Sequence, residues 1–513
     1  MAKTIFHSSD QSNFILNMDL GKYRAFCAKM ALAVLWMTAG SQLIFQLTYS
    51  VNGRLSEMMG EGGFSGVLAL ILIMLRSVAT FFSIGGVLAI ITAIIGMVRV
   101  QFTRSTAAPY LLLLGSLLWG VISMFHAFDM DYALFGQDGR DEGWISLLMY
   151  AALFYLGTML RRKENIQRFL IGILIFGIVQ NVWAILQAQP FFDFPNTYAD
   201  IEPLLFVNLR LPSGLTDSPI TFAMLLAMLL ALSVPAALCA EHKQTRILAA
   251  VCACLSMLTV FKTQTFAGLI AGCGALLLTA AFCIAKRKTA GKMKCVLPAA
   301  VLAAAVCSAL WTYAAPSINN VRHLVTDTTP ENGFAFYDGG ILWDDSFYRL
   351  STSGLYSAAD ADFNIHDASA AISYCWSEGI RVIKKYPVLG TGPDNFAFTQ
   401  LHTSLVLQAN VNSVDRPYND FLFIAATRGI LSMVLHIALL IVCAALAWKH
   451  RKAAYGWMLA AAGGAVLLYS LTALVGISVL TVAPLFWVLL GILAGEPIAD
   501  APPKQPRGKQ RNH

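Results

Sequence analysis

The chain has 513 residues, of which 57% are apolar and only 13% charged, and its mean hydropathy is +0.64. Soluble chains carry roughly 25% charged residues, so the composition excludes a disordered chain and argues against a soluble multidomain enzyme. The net charge of +7, from 36 Lys and Arg against 29 Asp and Glu, sits in short clusters between apolar runs. That pattern sets membrane topology and is not a nucleic-acid-binding face.

Apolar runs long enough to cross a bilayer as single helices dominate the chain. Residues 1–28 are polar, lack the apolar core of a signal peptide, and form a cytoplasmic segment ahead of an uncleaved anchor. Twelve spans follow, at about 29–49, 66–98, 106–127, 144–160, 167–187, 218–240, 247–262, 265–285, 295–315, 421–447, 454–474 and 477–495. The second is long, carries Arg76, and reads as one tilted helix or a broken one. With the N-terminus cytoplasmic, the basic clusters Arg161-Arg162-Lys163, Lys286-Arg287-Lys288 and Lys449-His450-Arg451-Lys452 all fall inside, as the positive-inside rule requires. Residues 496–513, with Lys504, Arg507, Lys509 and Arg511, form a disordered basic cytoplasmic tail.

The expected architecture is therefore an all-α polytopic membrane protein with about twelve spans and both termini cytoplasmic. Spans one to nine fill 29–315, an extracytoplasmic loop covers 316–420, and spans ten to twelve fill 421–495. A loop of this length is too long for a connector and should fold as a small helical cap. Within it, 369–386 has Trp376, Ile380 and Ile383 at helical spacing, and Pro387 with Gly390 and Gly392 ends the helix. The ten cysteines lie nearly all in or beside apolar runs with no C-x2-C pair, so they read as small core hydrophobes, not zinc ligands.

No P-loop, H-E-x-x-H or G-x-S-x-G is present. Gly390-x-Gly392 lacks the third glycine of a dinucleotide fingerprint. Acidic pairs such as Asp344-Asp345, or Asp360 with Asp362, lack calcium-loop spacing and read as solvated loop surface. Arginines at the expected outer face are more informative: Arg210 and Arg416 each precede a span directly, and Arg349 and Arg381 lie in the large loop. A guanidinium offers paired donors to phosphate and keeps its charge, although arginines also simply anchor helix ends at the interface. Arg428, nine residues after Asn419 and inside a span, and Arg76 are ionisable groups that need a partner or an aqueous cavity.

Three local patterns occur in order. Arg210-Leu-Pro-Ser-Gly214-Leu-Thr-Asp217-Ser-Pro219 resembles an Arg-x-x-Gly…Pro-Asn segment, with one extra residue and Ile220 where Asn is usual. Tyr386-Pro387-Val-Leu-Gly390-Thr-Gly392-Pro-Asp-Asn-Phe396 resembles a Pro-x-x-Gly-x-Gly-x-x-x-Phe segment. Tyr418-Asn419, nine residues, Gly429 and then Ser432 resembles His-[Asn/Ser/Gln]-x9-Gly-x-x-[Gly/Thr/Tyr]. Together, with the span count and the large loop between spans nine and ten, they resemble the O-antigen ligase and O-antigen polymerase superfamily. Two departures stand out. Tyr418 occupies the slot of the family's His. The slot four residues before Trp376, where the family has a second loop arginine, holds Ile372, which leaves Arg349 or Arg381 to substitute.

The resemblance implies a glycosyltransferase of surface-polysaccharide biosynthesis in the cytoplasmic membrane, with its site on the extracytoplasmic side. Its donor would be a glycan on undecaprenyl pyrophosphate. Its acceptor would be a hydroxyl of another lipid-linked repeat, a lipid or a protein. The reaction inverts the anomeric carbon and uses no metal, nucleotide sugar or other cofactor. The implied catalytic residues are Arg210, Tyr418 and Asn419, with Arg210, Arg416, Arg349, Arg381 and Asp217 binding pyrophosphate or glycan. Gly214, Pro219, Pro387, Gly390, Gly392 and Gly429 would shape the motifs. Three alternatives stand open: Tyr418 as phenolate favoured by Arg416, Tyr418 as orienter with Asp415 or Asp420 as base, or a branch that works by positioning alone or has lost activity. The competing reading is a polysaccharide or lipid-linked oligosaccharide flippase, which would show inverted repeats and matched broken spans; the sequence shows no internal repeat.

Overall fold

The computed structural model describes residues 20–59, 78–99, 104–136, 141–189, 212–263, 265–285, 293–310, 365–399, 416–452, 455–476 and 478–495. Among these the architecture is all-helical, with no β-strand. Arg76, Arg210, Arg349 and Asp415 lie outside the described residues, as do most of the large loop, residues 1–19 and residues 496–513.

The helices, in chain order, are α1 Leu20–Met59, α2 Val78–Arg99, α3 Arg104–Met124, α4 Met130–Phe135, α5 Trp144–Thr158, α6 Lys163–Gln187, α7 Pro219–Cys239, α8 Lys243–Val260, α9 Phe266–Ala285, α10 Met293–Ala309, α11 Ile365–Lys385, α12 Asp420–Lys449, α13 Gly456–Thr472 and α14 Ala483–Ala494. Seven are long and apolar enough to cross a membrane, and five shorter apolar helices accompany them. A lipid interior offers no water to unpaired amides, so helices that bond their own backbone are the natural element. The chain is a multi-pass membrane protein.

Two helices form the centre. Every residue from Pro219 to Leu238 of α7 is buried, as is all of α14. Helices apolar on every side belong inside a bundle. α7 packs against α8, α9 and α13, and α14 packs against α5. At the α5–α14 crossing Gly157 lies on the Val488 carbonyl and Gly491 on that of Phe154; small residues let the backbones close up where lipid supplies no hydrophobic drive. The outer helices keep apolar faces open instead. On α3, Leu111, Leu114, Leu118 and Ile122 recur at helical spacing and are all exposed, a stripe suited to acyl chains.

α12 is broken. Gly429 has φ 82° and ψ 162° inside it, and the turn after α11 fills the gap. Thr391 N donates to Ala426 O (3.0 Å) and Ile430 N to Pro387 O (2.9 Å). Ser123 Oγ donates to Leu389 O and Thr427 O, and Trp119 Nε1 to Arg428 O. The break's carbonyls are thus satisfied across elements rather than along the helix. A side chain at Gly429 would run into the Val388 carbonyl, and one at Gly390 into the Thr427 backbone. Both glycines also hold positive φ, so this loop-on-helix joint admits only glycine at either place.

Candidate active site

The segment before α7 begins at Pro212, two residues after Arg210. Ser218 caps α7 in a reciprocal box with Thr221, which leaves Pro219 at the first helical position, where its missing N–H costs nothing. Asp217 is held by Thr481 Oγ1, which donates to its Oδ1 at 2.6 Å. Burial pushes the Asp217 carboxyl above its usual range, against the Thr481 and Thr221 hydroxyls and the positive charge of Arg416. Arg416 is therefore within electrostatic reach of Asp217, some two hundred residues away in the chain.

Arg416, Tyr418 and Asn419 are all buried. Asn419 caps α12, its side chain accepting from Leu422 N at 3.1 Å. Tyr418 sits at φ 47°, a left-handed conformation that a bulky residue adopts only under constraint. The constraint is visible on three sides. Trp376 Nε1 of α11 donates to Tyr418 O at 3.4 Å. Gly379 of α11 faces Pro417. Asp420 N donates to Ala473 O beyond α13 at 2.8 Å. α11, expected at 369–386, thus runs over Ile365–Lys385 and packs on the start of α12.

The other site residues divide. Arg381 is committed to its own helix: its guanidinium forms an ion pair with Glu378 at 2.7 Å and is partly exposed. Gly390, Gly392 and Pro387 belong to the joint at the α12 break, with Gly392 against Ala127. Arg210 and Arg349 lie outside the described residues.

A polar cavity of about 60 Å³ lies beside the start of α12, space for a few waters. Glu142, Asp394, Asp420, Arg428 and His436 line it, with the indoles of Trp144 and Trp487. Tyr150 donates to Glu142 Oε1 at 2.6 Å. Burial lifts the Glu142 carboxyl well above its usual range; the Tyr150 hydrogen bond opposes this, the charges of Asp394 and Asp420 reinforce it, and Arg428 opposes it. Arg428 thus faces carboxylates and a cavity, as an ionisable group inside a span must.

Glu142, Asp394, His436 and the buried Lys262 at the end of α8 escaped the sequence reading. His436 lies inside a span, so the rule that singled out Arg428 applied to it equally. Asp394 lies within the Gly-Pro-Asp-Asn run. Nothing local distinguishes Glu142, whose environment comes from α5, α12 and α14. Among the described residues no group of three or more His, Cys, Asp or Glu side chains is arranged to hold a metal ion.

No curated protein matches the chain. Residues 248–437, from α8 through the break in α12, match the family model described as O-antigen ligase. That match spans less than half of the chain, includes the Tyr386–Phe396 and Tyr418–Gly429 motifs, and makes this region similar to the O-antigen ligase family.

Proposed function

We propose that the protein transfers a glycan from undecaprenyl pyrophosphate to an acceptor hydroxyl at the outer face of the cytoplasmic membrane, as a ligase or a polymerase. The observation that carries this reading is the buried Asp217, bonded to Thr481 and within electrostatic reach of Arg416, which relates two motifs that the family resemblance assigns to one site. Arg416 and Arg210 bind the pyrophosphate. Their fixed charge stabilises the leaving group as it becomes more negative, in a site that needs little reorganisation. Holding donor and acceptor together supplies much of the remaining acceleration.

In the transfer step the acceptor oxygen attacks the anomeric carbon from the face opposite the pyrophosphate. The carbon–oxygen bond to the phosphate breaks, its electron pair leaves with the pyrophosphate, and configuration inverts. The acceptor proton passes to the Asp420 carboxylate, while Tyr418 orients the acceptor. Free tyrosine titrates near 10 and is a poor base at neutral pH; Asp420 is two residues away and lines a cavity that offers the proton further acceptors.

The test is transfer by the purified chain in phospholipid vesicles carrying radiolabelled undecaprenyl-pyrophosphate glycan. Elongation of the donor identifies a polymerase, and relocation of the label to a second lipid or a protein identifies a ligase. Donor that crosses the bilayer with its glycosidic bond intact would establish the flippase reading instead, and unchanged donor in a well-folded preparation would end the proposal.

A further inference from the structure

Residues 213–216, just ahead of α7, rest in a set of buried side-chain amides. Gln187 Oε1 accepts from Ser213 N (3.1 Å) and Gly214 N (2.8 Å), while its Nε2 donates to Gly214 O (3.3 Å). Gln46 Nε2 donates to the same carbonyl at 2.9 Å. Gln180 Oε1 accepts from Leu215 N at 2.7 Å, and Gln42 Nε2 donates to Thr216 O at 3.0 Å. The carboxamides are themselves oriented: Gln46 Oε1 accepts from Trp183 Nε1 at 2.7 Å and from Gln187 Nε2 at 3.1 Å. Each backbone group from 213 to 216 that these amides bind is thereby fixed from α1 or α6.

Two features argue for more than passive filling. First, four long polar side chains are buried in apolar helices, where an apolar residue would fit the bundle without a polar group to satisfy. A backbone turn between two spans could meet its needs with water at the surface instead. Second, the set is incompletely satisfied: Gln180 Nε2 and Ser213 Oγ are buried with no hydrogen-bond partner among the described residues. Buried donors left over are rare, and each calls for a reason. The amides bind exactly the four residues that precede Asp217.

We propose that Gln42, Gln46, Gln180 and Gln187 are positioning residues for the pyrophosphate end of the donor, holding the 213–216 backbone that sets Asp217 against Thr481. This rests on the transferase reading. The amides hold the segment before α7, so their loss should register on the donor side.

The experiment compares wild type with Gln46→Met and Gln187→Met, which keep side-chain length and remove the amide. Binding of undecaprenyl pyrophosphate is measured directly, beside the donor KM, the acceptor KM and kcat. The expected result is donor binding weakened, and donor KM raised, about tenfold, with the acceptor KM unchanged. If either glutamine variant fails to fold, Trp183→Phe removes only the indole that orients Gln46, and it should weaken donor binding by a few-fold. Gln46→Glu retains the acceptor for Trp183 but loses the donor to Gly214, so it should fall between Met and wild type. Unaltered donor binding in folded variants, or equal losses on donor and acceptor, would overturn the proposal. Wild-type protein that binds undecaprenyl pyrophosphate but transfers nothing would sink the transferase reading and leave the donor-binding comparison standing. Wild-type protein that does not bind it would sink both.

Discussion

Gly429→Ala puts the most weight on the architecture. The residue sits at φ 82° and ψ 162°, a region that essentially only glycine visits, and a Cβ there would meet the Val388 carbonyl. Forcing an L-residue into such backbone costs about 1–3 kcal/mol. Relief by movement would break the Thr391–Ala426 and Ile430–Pro387 hydrogen bonds, each contributing about 0.5–1.5 kcal/mol. The variant should therefore lose roughly 1–3 kcal/mol by whichever route is cheaper, read as a shift in a denaturant or SDS unfolding titration in mixed micelles. Transfer activity at low temperature should fall as well, because the joint lies next to Arg428 and the cavity. Gly429→Ala with wild-type unfolding and activity would show that α12 tolerates a continuous helix there, and the account of the break would be wrong.

Arg210→Ala should abolish transfer while expression is retained, and Arg210→Lys should restore only part of it, because a lysine lacks the paired donors; equal activity of wild type and Arg210→Ala would remove that arginine from the site. Tyr418→Phe should lower kcat by removing the hydroxyl that orients the acceptor, and full activity would take Tyr418 out of the chemistry. Tyr418→His should keep or raise activity. Glu142→Gln tests the buried carboxyl by its pH dependence. With a raised pKa in the fold, the wild-type group stabilises most below the ordinary carboxyl value of about 4.3. That contribution is lost as pH rises from there through the folded value. The Gln variant should lack this slope and be at least as stable as wild type at pH 8; parallel pH–stability curves would refute the assignment.

The helices were legible because an apolar run in a bilayer has one good way to satisfy its amides. The amphipathic period that marked 369–386 marks α11 at Ile365–Lys385, since Trp376 and Ile383 must share a face. The first helix was under-read: Leu20–Met59 extends beyond the apolar stretch at 29–49 at both ends, where polar residues can continue a helix that hydropathy no longer signals. The break at Gly429 was not legible, because one glycine hardly alters a helical apolar pattern and the loop that fills the gap is distant in sequence. The amide set was hidden for the same reason. A glutamine in an apolar run looks tolerated until the segment it binds, here 213–216, is brought beside it.

Tyr418 carries one more implication. Its left-handed backbone is set by Trp376, Pro417 and the Asp420–Ala473 hydrogen bond, and these persist whatever side chain is present. Histidine enters that conformation more readily than most residues. A drift from tyrosine to histidine would thus relax the main chain before any chemistry was gained, and the reverse step would have to be tolerated against a conformational headwind.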